Sequence, residues 1–310
     1  MSGELVSVGH ILCETVIFSD GRRTGPVLGG PAAYSTAVAA CLGAPTGIVT
    51  KVGPDAPPEL LQPLEDAGVD LGGVDFNGPI TTTNQLVYAA DGTKELKYLK
   101  QAAAFSYQDI AGKYPGAFAF HICPLDYEIS THTISQLARL GKLMSVDLGG
   151  FGGAHIRRDT AAQKKLSTSA LKTLIGLFDI VKASDEDVKM IFAESGLSDE
   201  AIADHFLEAG AEVAIITRGA QGSLVFTREF KCAIPALPGD VLDVTGGGDS
   251  YVAGFLVEWL RTHDPVKSGV FAAAVALCVI EKTGGVLANR MPTESEARLR
   301  IPPRFQPRGA

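Results

Sequence analysis

Residues 243–250 read Asp-Val-Thr-Gly-Gly-Gly-Asp-Ser and stand directly before a strongly helical pattern. The apolar residues that follow recur at i, i+3, i+4, i+7 and i+8, the spacing of an amphipathic helix: Val252, Phe255, Leu256, Trp259 and Leu260. Consecutive glycines let the backbone approach a ligand closely, and a helix N-terminus adds positive partial charge. The segment therefore predicts an anion hole at Gly246, Gly247 and Gly248.

Asp249 follows these glycines and falls within reach of the same anion. A carboxylate in that place can accept the proton of a hydroxyl that attacks a phosphoryl group. From local physics alone, a glycine-rich turn with Asp249 as the helix N-cap is an equally good interpretation. The segment is not a P-loop, because the pattern GxxxxGK[ST] is absent. It also does not match the GxGxxG pattern of a Rossmann dinucleotide-binding site, because Tyr251 stands in the place of the third glycine.

The rest of the chain alternates short apolar runs with helical patterns. The runs predict strands at 5–8, 48–52, 118–123, 143–147, 180–183, 213–217 and 223–226. Such alternation predicts a mostly parallel sheet with helices on both faces, a three-layer α/β/α architecture. Ligands of these sheets bind at the carboxyl ends of the strands, and Asp147 ends one of the runs.

Residues 81–99 depart from this alternation and have the pattern of a β-hairpin, with a turn signal at Asp91-Gly92. An antiparallel hairpin in such a chain predicts a second, small sheet. We assign residues 13–28 and 80–100 to it as a lid, within one domain that spans 1–310.

Composition excludes several partners. The chain of 310 residues has a formal net charge of -8 and no basic stripe, which argues against nucleic acid. Its five cysteines form no close pair, so we expect a reduced, cytoplasmic protein without disulfides or zinc. The longest apolar run, 270–280, is too short to cross a membrane.

Three motifs together resemble the ribokinase-like (PfkB) family of kinases. Residues 243–250 resemble its signature D-x-T-G-A-G-D-[AS], with Gly247 in place of the alanine. The pair at 29–30 resembles its N-terminal glycines, and residues 217–222 resemble its T-x-G-x-x-G nucleotide loop. The motifs occur in the family's order and spacing, and the resemblance covers essentially the whole chain. It implies a ribokinase-like α/β fold with a β-sheet lid.

The resemblance also implies roles for individual residues. Asp249 would be the catalytic base beside the anion hole. The nucleotide would lie along Thr217, Gly219, Gly222 and Ser184, and the acceptor along Glu14, Gly29, Gly30 and Tyr34. Plain turns remain alternatives for the glycines of both sets.

Three departures from the family concern the acceptor and the metal. The N-x-x-E motif, which organises Mg²⁺ through water, is Ser184-x-x-Asp187 here and also has the pattern of a helix capping box. Glu14 stands where many sugar kinases have Asp, and Tyr34 stands near the place of their Asn. We therefore expect an acceptor pocket unlike that of a typical ribokinase.

Asp243 and Thr245 match positions that hold a monovalent cation such as K⁺ in many family members. Carboxylate and carbonyl oxygens suit a hard cation. An Asx-type turn is the alternative for these two residues.

The implied activity is transfer of the γ-phosphoryl group of ATP, with Mg²⁺, to a hydroxyl of a sugar or polyol. Residues 9–10, 29–34 and 146–147 are similar to an inositol-type subgroup. A nucleoside kinase is one alternative, with Tyr34 or Phe105 stacking on the base. A non-catalytic ligand sensor is another, which the changed Ser184/Asp187 pair suggests and the intact Asp249 opposes. A homodimer through the exposed lid edge is a further expectation.

Overall fold

The computed structural model describes residues 4–88, 94–157, 165–193 and 195–305. Their larger sheet has nine strands: β1 (Glu4–Val8), β4 (Thr46–Lys51), β5 (Asp70–Asp75), β8 (Ala117–Ile122), β9 (Leu143–Asp147), β10 (Ile180–Ser184), β11 (Val213–Thr217), β12 (Ser223–Phe226) and β13 (Lys231–Ile234). Their order is β13-β12-β11-β10-β9-β8-β1-β4-β5. Neighbouring strands from β11 to β5 run parallel, and β12 and β13 are antiparallel additions. The predicted mostly parallel sheet is confirmed.

A second sheet contains the strands that the sequence assigned to a lid: β2 (Leu12–Ile17), β3 (Arg23–Gly29), β6 (Thr83–Tyr88) and β7 (Lys94–Lys100). Its order is β3-β2-β6-β7. The β6–β7 pair is antiparallel, which confirms the predicted hairpin, although the turn at Asp91-Gly92 lies outside the described residues. We call this four-stranded sheet the lid sheet.

Ten helices lie in the described ranges: α1 (Pro31–Cys41), α2 (Gln62–Asp66), α3 (Tyr107–Ile110), α4 (Thr131–Ala138), α5 (Thr168–Ile175), α6 (Asp185–Ile191), α7 (Asp199–Ala209), α8 (Gly247–Thr262), α9 (Pro265–Ile280) and α10 (Glu294–Leu299). Among these residues, no helix has the length and apolarity that would be required to cross a membrane.

Two apolar cores cover the two faces of the larger sheet. Successive side chains of a strand point to opposite faces. Leu5 of β1 accordingly joins the core that contains Phe255 of α8 and Phe271 of α9, whereas its neighbour Val6 joins the core that contains Phe206 of α7. The sheet is thus sandwiched between helices, as the alternating pattern predicted, and the carboxyl ends of β1, β8, β9, β10 and β11 meet at one edge.

Candidate active site

The glycine run forms the N-terminus of α8, at the carboxyl edge of the sheet. Gly246 is the N-cap in a left-handed conformation, with φ 75°, and no side chain caps the helix. Asp249 is therefore not the N-cap, and that interpretation of the sequence is wrong. Within the described residues, the N–H groups of Gly246, Gly248 and Asp249 meet no acceptor, whereas that of Gly247 donates to the Val244 carbonyl over 3.1 Å. Open donors at a helix N-terminus can bind an anion.

Close packing explains why glycines occupy this turn. A Cβ atom on Gly246 would lie 2.3 Å from the ring of Tyr34, in addition to the strain of its positive φ. A Cβ atom on Gly247 would lie 3.0 Å from Ile280, and one on Gly248 would lie 3.2 Å from Nζ of Lys182. The glycines thus let the start of α8 sit directly against a buried lysine.

Asp249 lies in the first turn of α8, among buried charged groups. Burial raises the pKa of its carboxyl group to about 6; the nearby His155 opposes this shift and the Asp147 carboxylate adds to it. A carboxyl group with a pKa near 6 is ionised at neutral pH and is still a better proton acceptor than an exposed aspartate. The geometry therefore joins a base to an anion hole.

Lys182 and Asp147 form a buried ion pair below this turn. Lys182 Nζ lies 2.7 Å from Asp147 Oδ2, and the side chains are 4% and 1% exposed. They face each other because β9 and β10 pair in parallel with these two residues in register. Although burial alone would lower the pKa of Lys182, the Asp147 carboxylate raises it, so the ammonium group keeps its charge. Sequence reasoning missed Lys182; its only signal was a lysine inside an apolar strand.

Ser184 and Asp187 form the capping box at the start of α6. Asp187 Oδ2 accepts hydrogen bonds from the N–H and Oγ of Ser184, both at 2.7 Å, and Oδ1 accepts one from the Ala154 N–H at 2.8 Å. Asp187 is also buried. Both oxygens of this carboxylate thus have structural partners, and a link to Mg²⁺ through water stays a prediction.

A metal ion held by protein ligands alone does not fit the described residues. None of their His, Cys, Asp and Glu side chains gather in a group of three or more that could hold one. Magnesium in nucleotide sites typically keeps several waters and binds phosphates together with one or two carboxylates. Asp187 lies close enough to Asp249 for the two carboxylates to interact electrostatically, and a metal that arrives here with a nucleotide stays a prediction.

The segment 217–222 lies beside Ser184 at the same edge. Thr217 ends β11 in register with Ser184, and a 3₁₀ turn over Gly219–Gln221 follows. Gly219 and Gly222 have φ values of 51° and 84°, and a Cβ atom on Gly222 would lie 2.0 Å from the carbonyl oxygen of Ile234. Both glycines are thus required by the turn itself, and contact of this loop with a nucleotide stays a prediction.

The predicted acceptor residues lie together in the lid sheet, Glu14 on β2, Gly29 at the end of β3 and Gly30 directly after it. Glu14 Oε2 accepts a 2.6 Å hydrogen bond from Asn84 Nδ2, and both side chains are buried. A Cβ atom on Gly29 would contact the Glu14 carboxylate at 3.7 Å, and Gly30 has φ 94°. Sequence reasoning missed Asn84, whose Oδ1 is buried without a hydrogen-bond partner in the described part of the chain.

Tyr34 is buried beside the start of α8. It is 2% exposed, its ring packs against Gly246, and its hydroxyl bonds with Arg290 at 2.7 Å and with the Gly284 carbonyl at 3.3 Å. Phe105 is buried as well, with its ring 4.7 Å from that of His10. The burial of both rings weighs against the predicted contacts of Tyr34 and Phe105 with a substrate.

The oxygens expected to hold a monovalent cation are already occupied. Asp243 Oδ1 accepts a hydrogen bond from the Thr245 N–H at 2.9 Å, which is the Asx-type turn. The backbone carbonyls of Asp243 and Thr245 accept hydrogen bonds from Nη2 of Arg290, at 3.2 and 2.8 Å. K⁺ therefore does not fit between these residues, and the prediction of a cation site at Asp243 and Thr245 is corrected.

The lid sheet contacts the loops at the carboxyl edge. The Tyr98 hydroxyl donates a 2.8 Å hydrogen bond to the carbonyl of His155, the residue that lowers the pKa of Asp249. On the other side, Lys100 Nζ lies 2.8 Å from Asp55 Oδ2. These two contacts join the lid sheet to loops at the carboxyl edge of the larger sheet.

Comparisons with known proteins agree with this geometry. The family model "pfkB family carbohydrate kinase" matches residues 2–293. The chain is 32% identical over 262 residues to the cytidine kinase of Thermococcus kodakarensis, covering 83% of this chain and 89% of the relative.

Two solved structures show the same fold. Arabidopsis thaliana ribokinase, complexed with ribose and ATP, superposes with a TM-score of 0.76 at 20% identity, covering 97% of this chain and 99% of the other. A pyrophosphate-dependent myo-inositol-1 kinase, converted by mutation into a myo-inositol-3 kinase, gives a TM-score of 0.73 at 24% identity, covering 94% and 97%. The chain thus belongs to the pfkB family of carbohydrate kinases, phosphotransferases whose acceptor is a hydroxyl group.

Proposed function

We propose that this protein transfers the γ-phosphoryl group of ATP to a ribose hydroxyl of a nucleoside. The observation that carries the choice of acceptor is the 32% identity to a cytidine kinase over most of both chains. This identity makes a nucleoside a stronger candidate acceptor than the sugars and polyols that the motifs alone suggested. The half-buried base Asp249 beside an anion hole supports the transfer itself, because both elements have a use in that reaction.

In the proposed reaction, the acceptor hydroxyl oxygen attacks the γ-phosphorus and its proton passes to the Asp249 carboxylate. The bond from the γ-phosphorus to the bridging oxygen breaks, and ADP leaves with the bonding electrons. The open N–H groups of Gly246 and Gly248 hold the oxygens of the transferred group. The Lys182 ammonium group, directly below Gly248, adds positive charge at the same point.

The nucleotide would lie along Thr217, Gly219 and Gly222, with its phosphates toward the anion hole and near Ser184. Bound Mg²⁺ neutralises phosphate charge. Asp187 would contact a water of that ion with the lone pair that its three structural hydrogen bonds leave open. We propose no direct bond from Asp187 to the metal.

The acceptor would bind between the lid sheet and the start of α8. Glu14 presents a carboxylate, a hydrogen-bond acceptor, and Oδ1 of Asn84 is a buried acceptor without a donor in the described residues. Both groups suit the vicinal hydroxyls of a ribose. Gly29 and Gly30 let a substrate approach the backbone at this point.

A polyol such as an inositol is the second candidate acceptor. The observation that favours it is the burial of Tyr34 and Phe105, which leaves neither predicted aromatic ring open to a base. Two hydrogen-bonding side chains, Glu14 and Asn84, would serve a polyol as well as a ribose. The third alternative, a non-catalytic sensor, predicts binding without turnover.

ADP release from ATP and Mg²⁺ across nucleosides, sugars and polyols separates these candidates. In a parallel series pyrophosphate replaces ATP, and release of orthophosphate is measured. We expect a nucleoside to stimulate release most strongly and Asp249→Asn to abolish the stimulation. A polyol as the best acceptor would establish the second candidate. Binding of ATP and an acceptor without any turnover would instead favour the sensor.

We also propose a homodimer through the lid sheet. Its outer strands β3 and β7 each pair with one neighbour in the described structure, and Leu99 on β7 is 55% exposed. An open edge can pair with a second copy. Light scattering should give a mass of two chains, which Leu99→Lys should reduce to one; a wild-type monomer would contradict the proposal.

A further inference from the structure

Arg290 is the largest fully buried side chain of the described residues, with 1% exposure. Its guanidinium group donates to six backbone carbonyl oxygens and one hydroxyl. The carbonyls belong to Asp243, Thr245, Val279, Lys282, Gly284 and Gly285, and the hydroxyl to Tyr34. The Asp243 carboxylate lies 3.5 Å from Nη2 and supplies a negative charge.

The six carbonyl oxygens come from two separate segments. Residues 243–245 precede the anion hole, and residues 279–285 follow from the end of α9. Carbonyl oxygens that point at one buried centre repel one another unless a positive charge stands between them. Arginine keeps its charge in proteins and presents five donors in a rigid fork, so it can hold several such oxygens at once.

The same centre controls the start of α8. The Thr245 carbonyl, which receives the 2.8 Å hydrogen bond from Arg290, directly precedes the left-handed Gly246. The other side of Gly246 packs against the ring of Tyr34, whose hydroxyl Arg290 also holds. Arg290 thus fixes both the backbone and the ring that together set the direction of the open N–H groups.

We infer that the Arg290 guanidinium is a built-in cation that takes the place of a monovalent metal ion and makes the kinase independent of K⁺. It acts as a positioning residue, through the anion hole, and contacts no substrate. The inference rests on the proposed phosphoryl transfer for its activity readout only. Loss of the arginine should leave a cluster of carbonyls that a monovalent cation can refill.

The test compares wild type, Arg290→Ala and Arg290→Lys in tetramethylammonium chloride and in KCl at equal ionic strength. Wild type should show the same kcat in both salts. Arg290→Ala should lose about 10²-fold in kcat, the loss typical of a damaged oxyanion hole, and recover much of it in KCl or with guanidinium ion. Arg261→Ala is the control, because Arg261 is half-buried at the far end of α8 and, like Arg290, donates to a backbone carbonyl, that of Leu42.

A second readout needs no turnover. KCl should raise the Tm of Arg290→Ala above its value in tetramethylammonium chloride and should not do so for wild type or Arg261→Ala. This Tm comparison tests the role of Arg290 even if no acceptor is found and the proposed function fails.

K⁺ activation of the wild type would overturn the inference, as would a folded Arg290→Ala that keeps full activity or that no cation rescues in either readout. If Arg290→Ala does not fold, wild type and Arg290→Lys decide, and the inference expects both to be insensitive to K⁺.

Discussion

Asp249→Asn should inactivate the enzyme and at the same time stabilise its fold. The pKa of Asp249 is raised from 3.8 to about 6, mainly by burial, so the ionised carboxylate is less stable in the folded chain than in the unfolded chain. This penalty is absent well below pH 4, grows between the two pKa values, from about pH 4 to about pH 6, and is almost complete at about pH 7. An asparagine of the same shape avoids it.

The size of the stabilisation expected for Asp249→Asn follows from the shift in the pKa of Asp249. One pKa unit corresponds to 1.36 kcal/mol, so a shift of about 2 units sets a ceiling of about 3 kcal/mol at pH 8. Partial solvent access at the cleft reduces this figure, and we expect a gain of about 1–3 kcal/mol. In a chain of this size, that gain raises Tm by a few degrees.

Thermal unfolding of wild type and Asp249→Asn at pH 4.5 and pH 8 measures the effect. We expect a higher Tm for the variant at pH 8 and a smaller difference, about a third as large, at pH 4.5. Asp20→Asn is the control, because Asp20 is exposed and its pKa is lowered by Arg22, so no gain is expected. A lower Tm for Asp249→Asn at pH 8, or the same difference at both pH values, would refute the electrostatic account of this site.

Three further predictions concern the same site. The kcat/KM should fall as the pH drops through about 6, because the base must be ionised; a profile that is flat from pH 5 to 8 would contradict its role. Gly222→Ala should destabilise the fold by about 1–3 kcal/mol in denaturant titrations, more than Gly43→Ala, because Gly43 has a similar φ but open space around its Cβ position. Lys182→Met should lower the free energy of unfolding by about 3–5 kcal/mol, because it leaves Asp147 buried and unpaired. The double variant with Asp147→Asn should regain part of that loss, and losses that simply add in the double variant would argue against the ion pair.

The sequence predicted those features that depend on local patterns. The alternation of apolar runs with helical patterns predicted the mostly parallel sheet with helices on both faces. The hairpin pattern at residues 81–99, which interrupts this alternation, predicted the second sheet. The start of α8 was predictable because glycines followed by an amphipathic pattern constrain the backbone directly. In each case the signal and the structure lie within a few residues of each other.

The missed residues all depend on contacts between distant segments. Lys182 meets Asp147 only through strand register, and Asn84 meets Glu14 across the lid sheet, 70 residues away in sequence. Arg290 lies 47 residues beyond Asp243, and no local pattern marks it as buried. The contacts of Tyr34 with Gly246 and Arg290 were not predictable either, because helical spacing does not tell which neighbour a ring will face.

The central claim is that Asp249 accepts the proton of an acceptor hydroxyl while the start of α8 holds the transferred phosphoryl group. The most direct measurement is ADP release from ATP and Mg²⁺ with a nucleoside panel, in wild type and in Asp249→Asn at equal concentrations of folded protein. We predict nucleoside-stimulated release in wild type and a loss of about 10²–10⁴-fold in the variant. Equal release by the two proteins would contradict the claim.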